Sequence, residues 1–149
     1  YFALIPFTLF FLYVNIFLIG DTFMDASKFG GTKVLWHDRK RWCGMPLSFT
    51  RYYIVENEGQ WLKLFSSIGL FATEDNEVNF FRIFDMSIYQ SLFDKMFGVG
   101  TITLYVNDES TETIVIKKVK HPHKVRNLIA SLVEQERQKH GFRLTEFHS

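Results

Sequence analysis

Residues 101–139 read TITLYVNDESTETIVIKKVKHPHKVRNLIASLVEQERQK. The first six alternate. Ile102, Leu104 and Val106 share one face and Thr101, Thr103 and Tyr105 the other, the period-two pattern of a half-buried strand. Asn107 to Ser110 turns the chain, and 111–119 pairs back with Ile114 and Ile116 on one face. Pro122 then stands where a helix begins, a position that needs no backbone N–H. Val125, Leu128, Ile129, Leu132 and Val133 follow at i, i+3, i+4, i+7 and i+8, a single apolar stripe. Lys124, Arg126, Asn127, Glu134 and Gln135 lie off it, and Gly141 is the expected helix end. A hairpin followed by such a helix constrains the fold, because the stripe must be buried against a sheet.

Toward the N-terminus the same period recurs. Leu47, Phe49, Tyr53 and Val55 alternate with Ser48, Thr50 and Glu56, blurred by Tyr52 and Ile54. Asn57-Glu58-Gly59 signals a turn, so Trp61 to Ile68 returns as a hairpin partner until Gly69 breaks it. A third strand is expected around 70–73 and a fourth over 77–91, joined by the acidic turn Glu74-Asp75-Asn76. Ser91 to Phe97 supports no more than a helical turn. After it, Gly98 and Gly100 suit a positive φ or a close backbone approach. Asp85, among apolar neighbours, needs a hydrogen-bond donor from Arg82's surroundings, a backbone turn or another strand. Ile83 and Asp85 are expected on one strand face, with Arg82, Phe84 and Met86 on the other. All connections are too short for parallel crossovers. The class is α+β, mainly β: six to seven short antiparallel strands in a strongly bent, barrel-like sheet closed by a C-terminal helix.

Residues 1–20, YFALIPFTLFFLYVNIFLIG, differ in kind. They carry no charge, and as a helix they would rise about 30 Å, the hydrocarbon thickness of a bilayer. Apolar residues surround that helix on every side. A transmembrane helix is the favoured reading. A signal peptide is disfavoured by its overlong apolar core and the lack of an Ala-x-Ala-like site. The third reading is a helix or strand pair buried in the fold. Lys28, Lys33, Arg39, Lys40 and Arg41 lie on the C-terminal side of the block. That bias places the domain on the cytoplasmic face of the cell membrane, and the lone Cys43 agrees. The expected organisation is therefore a membrane helix over 1–20, a linker over 21–35, a domain over 36–140 and a tail over 141–149.

Composition narrows the function. At 47% hydrophobic the chain is not disordered, and one Cys excludes a disulfide scaffold. Lys+Arg 17 against Asp+Glu 16 leaves a net charge of +1, which gives no global field to recruit nucleic acid. That charge is segregated. Residues 28–56 hold six cations and two carboxylates, whereas residues 1–27 carry only Asp21 and Asp25.

Three ordered blocks carry a family resemblance. Trp36 to Arg41 (WHDRKR) with Gly44 to Tyr52 (GMPLSFTRY) comes first, then Phe81 to Ser87 (FRIFDMS) with Phe93 to Thr103 (FDKMFGVGTIT), then Ile116 to Val125 (IKKVKHPHKV). Together they resemble the bacterial pleckstrin-homology (PH) domain family over about residues 36–139. The resemblance implies a PH-like barrel and supplies no settled ligand. A membrane segment often does not precede the domain in that family, so 1–20 is expected to be an addition of this chain.

Two basic clusters are the candidate binding residues. The first is His37, Arg39, Lys40 and Arg41, with Arg51 nearby, bracketed by Trp36 and Trp42. Beside a membrane each cation is worth about 1 kcal/mol against anionic headgroups. The second is Lys117, Lys118, Lys120 and Lys124, with His121, His123 and Arg126. Cations in a first helical turn oppose the macrodipole, which an anionic ligand would offset. For both clusters a solvated surface is the competing reading. His121 and His123 lack the partners of a zinc site, and no nucleophile elbow, phosphate loop or paired catalytic carboxylates appear. The expectation is a non-enzymatic binding domain without cofactor or metal. Its partners would be the membrane, through 1–20 and the basic flank, and a protein or a second copy of itself; nucleic acid is not expected. The alternative is a peptide-interaction module that the anchor merely localises, which exposed faces of Trp61, Phe65 and Phe81 would favour.

Overall fold

The computed structural model describes residues 29–58, 60–68, 74–107, 109 and 113–146, together with 8, 9 and 12. Seven strands form among them: β1 (Lys33–Arg39), β2 (Arg51–Asn57), β3 (Trp61–Ile68), β4 (Glu74–Asn79), β5 (Ile83–Tyr89), β6 (Val99–Val106) and β7 (Thr113–Lys120). A 3-10 turn (Phe80–Arg82) links β4 to β5, α1 (Leu92–Phe97) links β5 to β6, and α2 (Pro122–Glu146) follows β7. The strands make two antiparallel sheets, β1-β2-β3-β4 and β5-β6-β7. Their facing sides and the α2 stripe share one core, which runs from Tyr52, Ile54 and Leu64 through Phe80, Ile102, Leu104 and Ile116 to Val125, Ile129, Leu132 and Val133. The expected layout of bent antiparallel strands closed by a C-terminal helix is thus present as a four-stranded and a three-stranded layer.

Several elements differ from the sequence reading, each for a local reason. β1 occupies the last residues assigned to the linker. A bulge between Val34 and Trp36 scrambles its alternation. The strand expected from Leu47 begins only at Arg51. Pro46 removes a donor there, and the segment folds back through paired Trp42 and Met45. Tyr52 and Ile54 blur the pattern of β2 because both its faces are buried. Tyr53 and Val55 form a second cluster with Phe65 on the outer side, covered by Phe29, Val34 and Trp61.

The strand expected over 77–91 is two strands, and its break at Phe80–Arg82 carries the chain from one sheet to the other. Glu74, Asp75 and Asn76 are not a turn. They pair with Ile68, Ser67 and Ser66 on β4, an edge strand where charge is tolerated. The strand expected at 70–73 lies outside the described residues.

A bulge between Ile83 and Asp85 resets the facing of β5. Ile83, Met86 and Ile88 therefore turn to the core, and Phe84 and Asp85 turn to solvent. Asp85 receives its donor from the next backbone amide, Met86 N, at 2.7 Å.

Gly141 does not end α2, which continues to Glu146 and takes in most of the expected tail. Gly98 has φ +67 as the C-cap of α1. Gly100 allows the close approach instead: a Cβ there would lie 2.7 Å from Pro122 Cγ and 2.8 Å from Gln90 Cγ. The membrane helix expected over 1–20 lies outside the described residues except for Thr8, Leu9 and Leu12, which are helical and exposed. Among the described residues no helix is long and apolar enough to cross a membrane.

Candidate anion-binding groove

The two basic clusters, some 80 residues apart in sequence, meet at one place. A bulge in β7 brings them together. Gly100 pairs with Val119 and Ile102 with Ile116, so β7 carries one extra residue, and Lys118 takes a left-handed φ of 53°. Ile116 and Val119 can then both face the core. The end of β7 swings toward β1, where Arg41 N donates to the Lys118 carbonyl at 2.9 Å.

Asp38 fastens the junction. Its Oδ1 accepts from Arg39 N at 2.8 Å and from Arg41 Nη2 at 3.0 Å, while its Oδ2 accepts from Lys120 N at 3.0 Å. The carboxylate is spent on holding β1, the Arg41 side chain and β7 in register.

Around it opens a groove of about 370 Å³, at the small end of the range for ligand sites. Trp36, His37, Asp38 and Arg41 line one side, and Lys120, His121, Lys124, Val125 and Leu128 the other. Three cations therefore stand against one carboxylate, which is already triply bonded. The positive end of the α2 macrodipole points here too, with no acidic residue in its first turn. Arg41 Nε is buried and has no hydrogen-bond partner among the described residues. Val125 and Leu128 give the same groove an apolar wall.

Of the nine expected binding residues, four line this groove: His37, Arg41, Lys120 and Lys124. Arg39 does not face outward; it is 3% exposed, because the end of β1 turns it into the fold. Arg51 stands opposite Arg39 in the β1/β2 ladder. Lys40 joins that end of the sheet through a backbone bond from its N to Thr50 O at 3.0 Å. Lys118 is engaged elsewhere, its Nζ 2.6 Å from both carboxylate oxygens of Asp94. Lys117 is exposed, and its amide donates to the buried Tyr52 hydroxyl at 2.9 Å.

The reading of residue types did not single out Asp38, nor Trp36, Val125 and Leu128 as walls. An acid set inside a run of bases (HDRKR) is the one signal that marks Asp38. Among the described residues no group of three or more His, Cys, Asp or Glu could hold a metal ion.

The sequence model of the family described as Bacterial PH domain matches residues 10–133. The match takes in the second half of the apolar block, which the resemblance alone had left outside the domain. No curated protein and no solved structure matches the chain.

Proposed function

The chain belongs to the bacterial PH domain family, and from that premise we propose that it is a non-enzymatic, membrane-apposed domain whose groove holds the headgroup of an anionic lipid. The observation that carries the reading is the meeting of Arg41, Lys120 and Lys124 in one groove from distant parts of the chain. Trp36, Val125 and Leu128 add an apolar wall, which suits an amphiphile better than a free inorganic anion. The uncharged block 1–20 and the basic flank after it support a position at the cytoplasmic face of the cell membrane.

The peptide-module alternative draws less support. Phe65 is buried, Trp61 packs on it at 6.3 Å, and Phe81 stacks on His140 at 4.7 Å. Only Trp61 and Phe81 keep part of their surface open, and each already has a ring neighbour.

The test is a calorimetric titration of the full chain in non-ionic detergent. The titrants are short-chain phosphatidylglycerol, short-chain phosphatidylcholine and inorganic phosphate. Saturable binding of phosphatidylglycerol alone, lost in a Lys120→Glu/Lys124→Glu chain, is expected. Equal heats from both lipids would end the headgroup reading, and saturation by phosphate alone would make the groove a site for a free anion.

A further inference from the structure

Beside the groove the surface turns apolar, on a helix whose amphipathicity is reversed. At about 100° per residue, Leu92, Phe93, Met96 and Phe97 of α1 fall within an arc of roughly 140°. A helix normally buries such an arc. Here Leu92, Phe93 and Met96 are 84%, 71% and 68% exposed, and the residue turned inward is Asp94. An ion pair takes the place of an apolar stripe. Asp94 binds Lys118 Nζ and closes a capping box with Ser91. The helix is therefore held by its polar side, with its apolar side outward.

The turn after β1 extends the patch. Trp42 is 69% exposed and Met45 is exposed beside it. The turn lies against α1, since a Cβ on Gly44 would sit 3.3 Å from Phe97 Cβ. Both pieces hang from Lys118, whose carbonyl receives Arg41 N and whose ammonium holds Asp94. Six large apolar side chains in one place go beyond the scattered exposure usual on a soluble surface.

The rim of this patch is basic. Lys40 and Arg41 lead into Trp42, and Lys95 is exposed on α1 itself. The groove begins where α1 ends, with His121 N bonded to Gly98 O at 3.1 Å.

We propose that the patch enters the headgroup layer of an anionic bilayer, with Trp42, Leu92, Phe93 and Met96 as the inserting side chains. Aromatic and aliphatic residues flanked by cations suit that layer, where apolar area is buried and the cations meet lipid phosphates. A second copy of the chain is a poorer occupant, because a two-fold contact would set the basic rim against itself. Geometry allows the contact. Eight residues lie between Gly20 and Phe29, which packs on Tyr53 and Phe65, and they can span about 26 Å, while β1 is only about 20 Å long. A chain anchored through 1–20 can thus lay the far end of β1 on the same membrane. The proposal shares with the groove reading only the premise of an anionic membrane surface.

Cys43, the sole cysteine and exposed within the 42–45 turn, provides the probe. The full chain, labelled there with an environment-sensitive fluorophore, is reconstituted in phosphatidylcholine vesicles with and without phosphatidylglycerol. Emission should shift to the blue, more so with the anionic lipid, and nitroxide lipids labelled near the headgroup should quench it. A label at Gln138→Cys in a Cys43→Ser chain, exposed about four helical turns along α2 from Lys124, should stay unquenched. The Leu92→Asp/Phe93→Asp chain alters only exposed side chains, so it should keep the wild-type urea midpoint and lose both signals. An unshifted, unquenched Cys43 label overturns the proposal, and so does a shift that follows protein density in the vesicle and not lipid charge. The headgroup titration reads the groove independently. Positive titration with a silent Cys43 label removes the insertion and leaves the groove; the converse removes the groove and leaves the insertion.

Discussion

At Asp94 two effects compete. Burial raises the pKa of its carboxyl, while the hydrogen bonds from Lys118 and Ser91, with the charge of Lys118, lower it and prevail. The folded state therefore favours the ionised form. The resulting stabilisation is present above the ordinary carboxylate range near pH 4 and is lost as pH falls through the lowered value. Asp94→Asn should cost about 1–3 kcal/mol at pH 7, less than a fully buried pair because Lys118 is partly exposed. Urea titrations across pH should show the gap to wild type closing as Asp94 protonates; a gap constant from pH 7 to 2 contradicts the assignment. Tyr52 runs the other way. Burial raises its phenol, against the bond from Lys117 N, so its contribution holds below about pH 10 and fades above it. Tyr52→Phe leaves the Lys117 amide without that acceptor and should cost about 1–2 kcal/mol at neutral pH by urea unfolding. Residue-level chemistry was partly legible in the sequence. The glycines after α1 announced a positive φ and a close approach, and both occur. The partner of Asp94 lies 24 residues away across a bulge, a distance that no local pattern encodes.

Among the elements, α2 is the one its periodicity described best. Ile129 is fully buried, whereas Leu128 is partly buried on the groove side. Ile129→Ala should then cost about 2–5 kcal/mol and Leu128→Ala less, by denaturant midpoints. Equal losses would place the stripe wrongly. Gly141 suits a helix end by residue type, yet α2 runs through it to Glu146. It is exposed within the helix, and among the described residues nothing outside the helix backbone lies near where a Cβ would stand. Gly141→Ala should accordingly stabilise the chain by about 0.5–1 kcal/mol, and a lowered thermal midpoint would show the helix does not continue there. Two strands resisted reading for one physical reason. β1 and β5 each meet a bulge, and one extra residue moves the following side chains to the other face. α1 posed a different problem. By sequence it supports no more than a helical turn, and six residues cannot show that a buried ion pair, and not an apolar face, docks the helix.

For the whole molecule, both basic clusters stood out in the sequence, but their meeting depends on topology. The bulge in β7 and the bonds of Asp38 join segments that no spacing rule connects. The apolar patch on α1 and the 42–45 turn then adjoins the groove, joined to it by the His121 N to Gly98 O and Arg41 N to Lys118 O bonds. The central claim is that this side of the domain lies against an anionic membrane. Amine-reactive footprinting of the full chain in phosphatidylcholine vesicles, with and without phosphatidylglycerol, tests it most directly. Lys95, Lys120 and Lys124 should become protected when the anionic lipid is present, while Lys139, some four helical turns along α2 from Lys124, should react equally in both. Uniform reactivity of all four lysines in the two vesicle types would contradict the account.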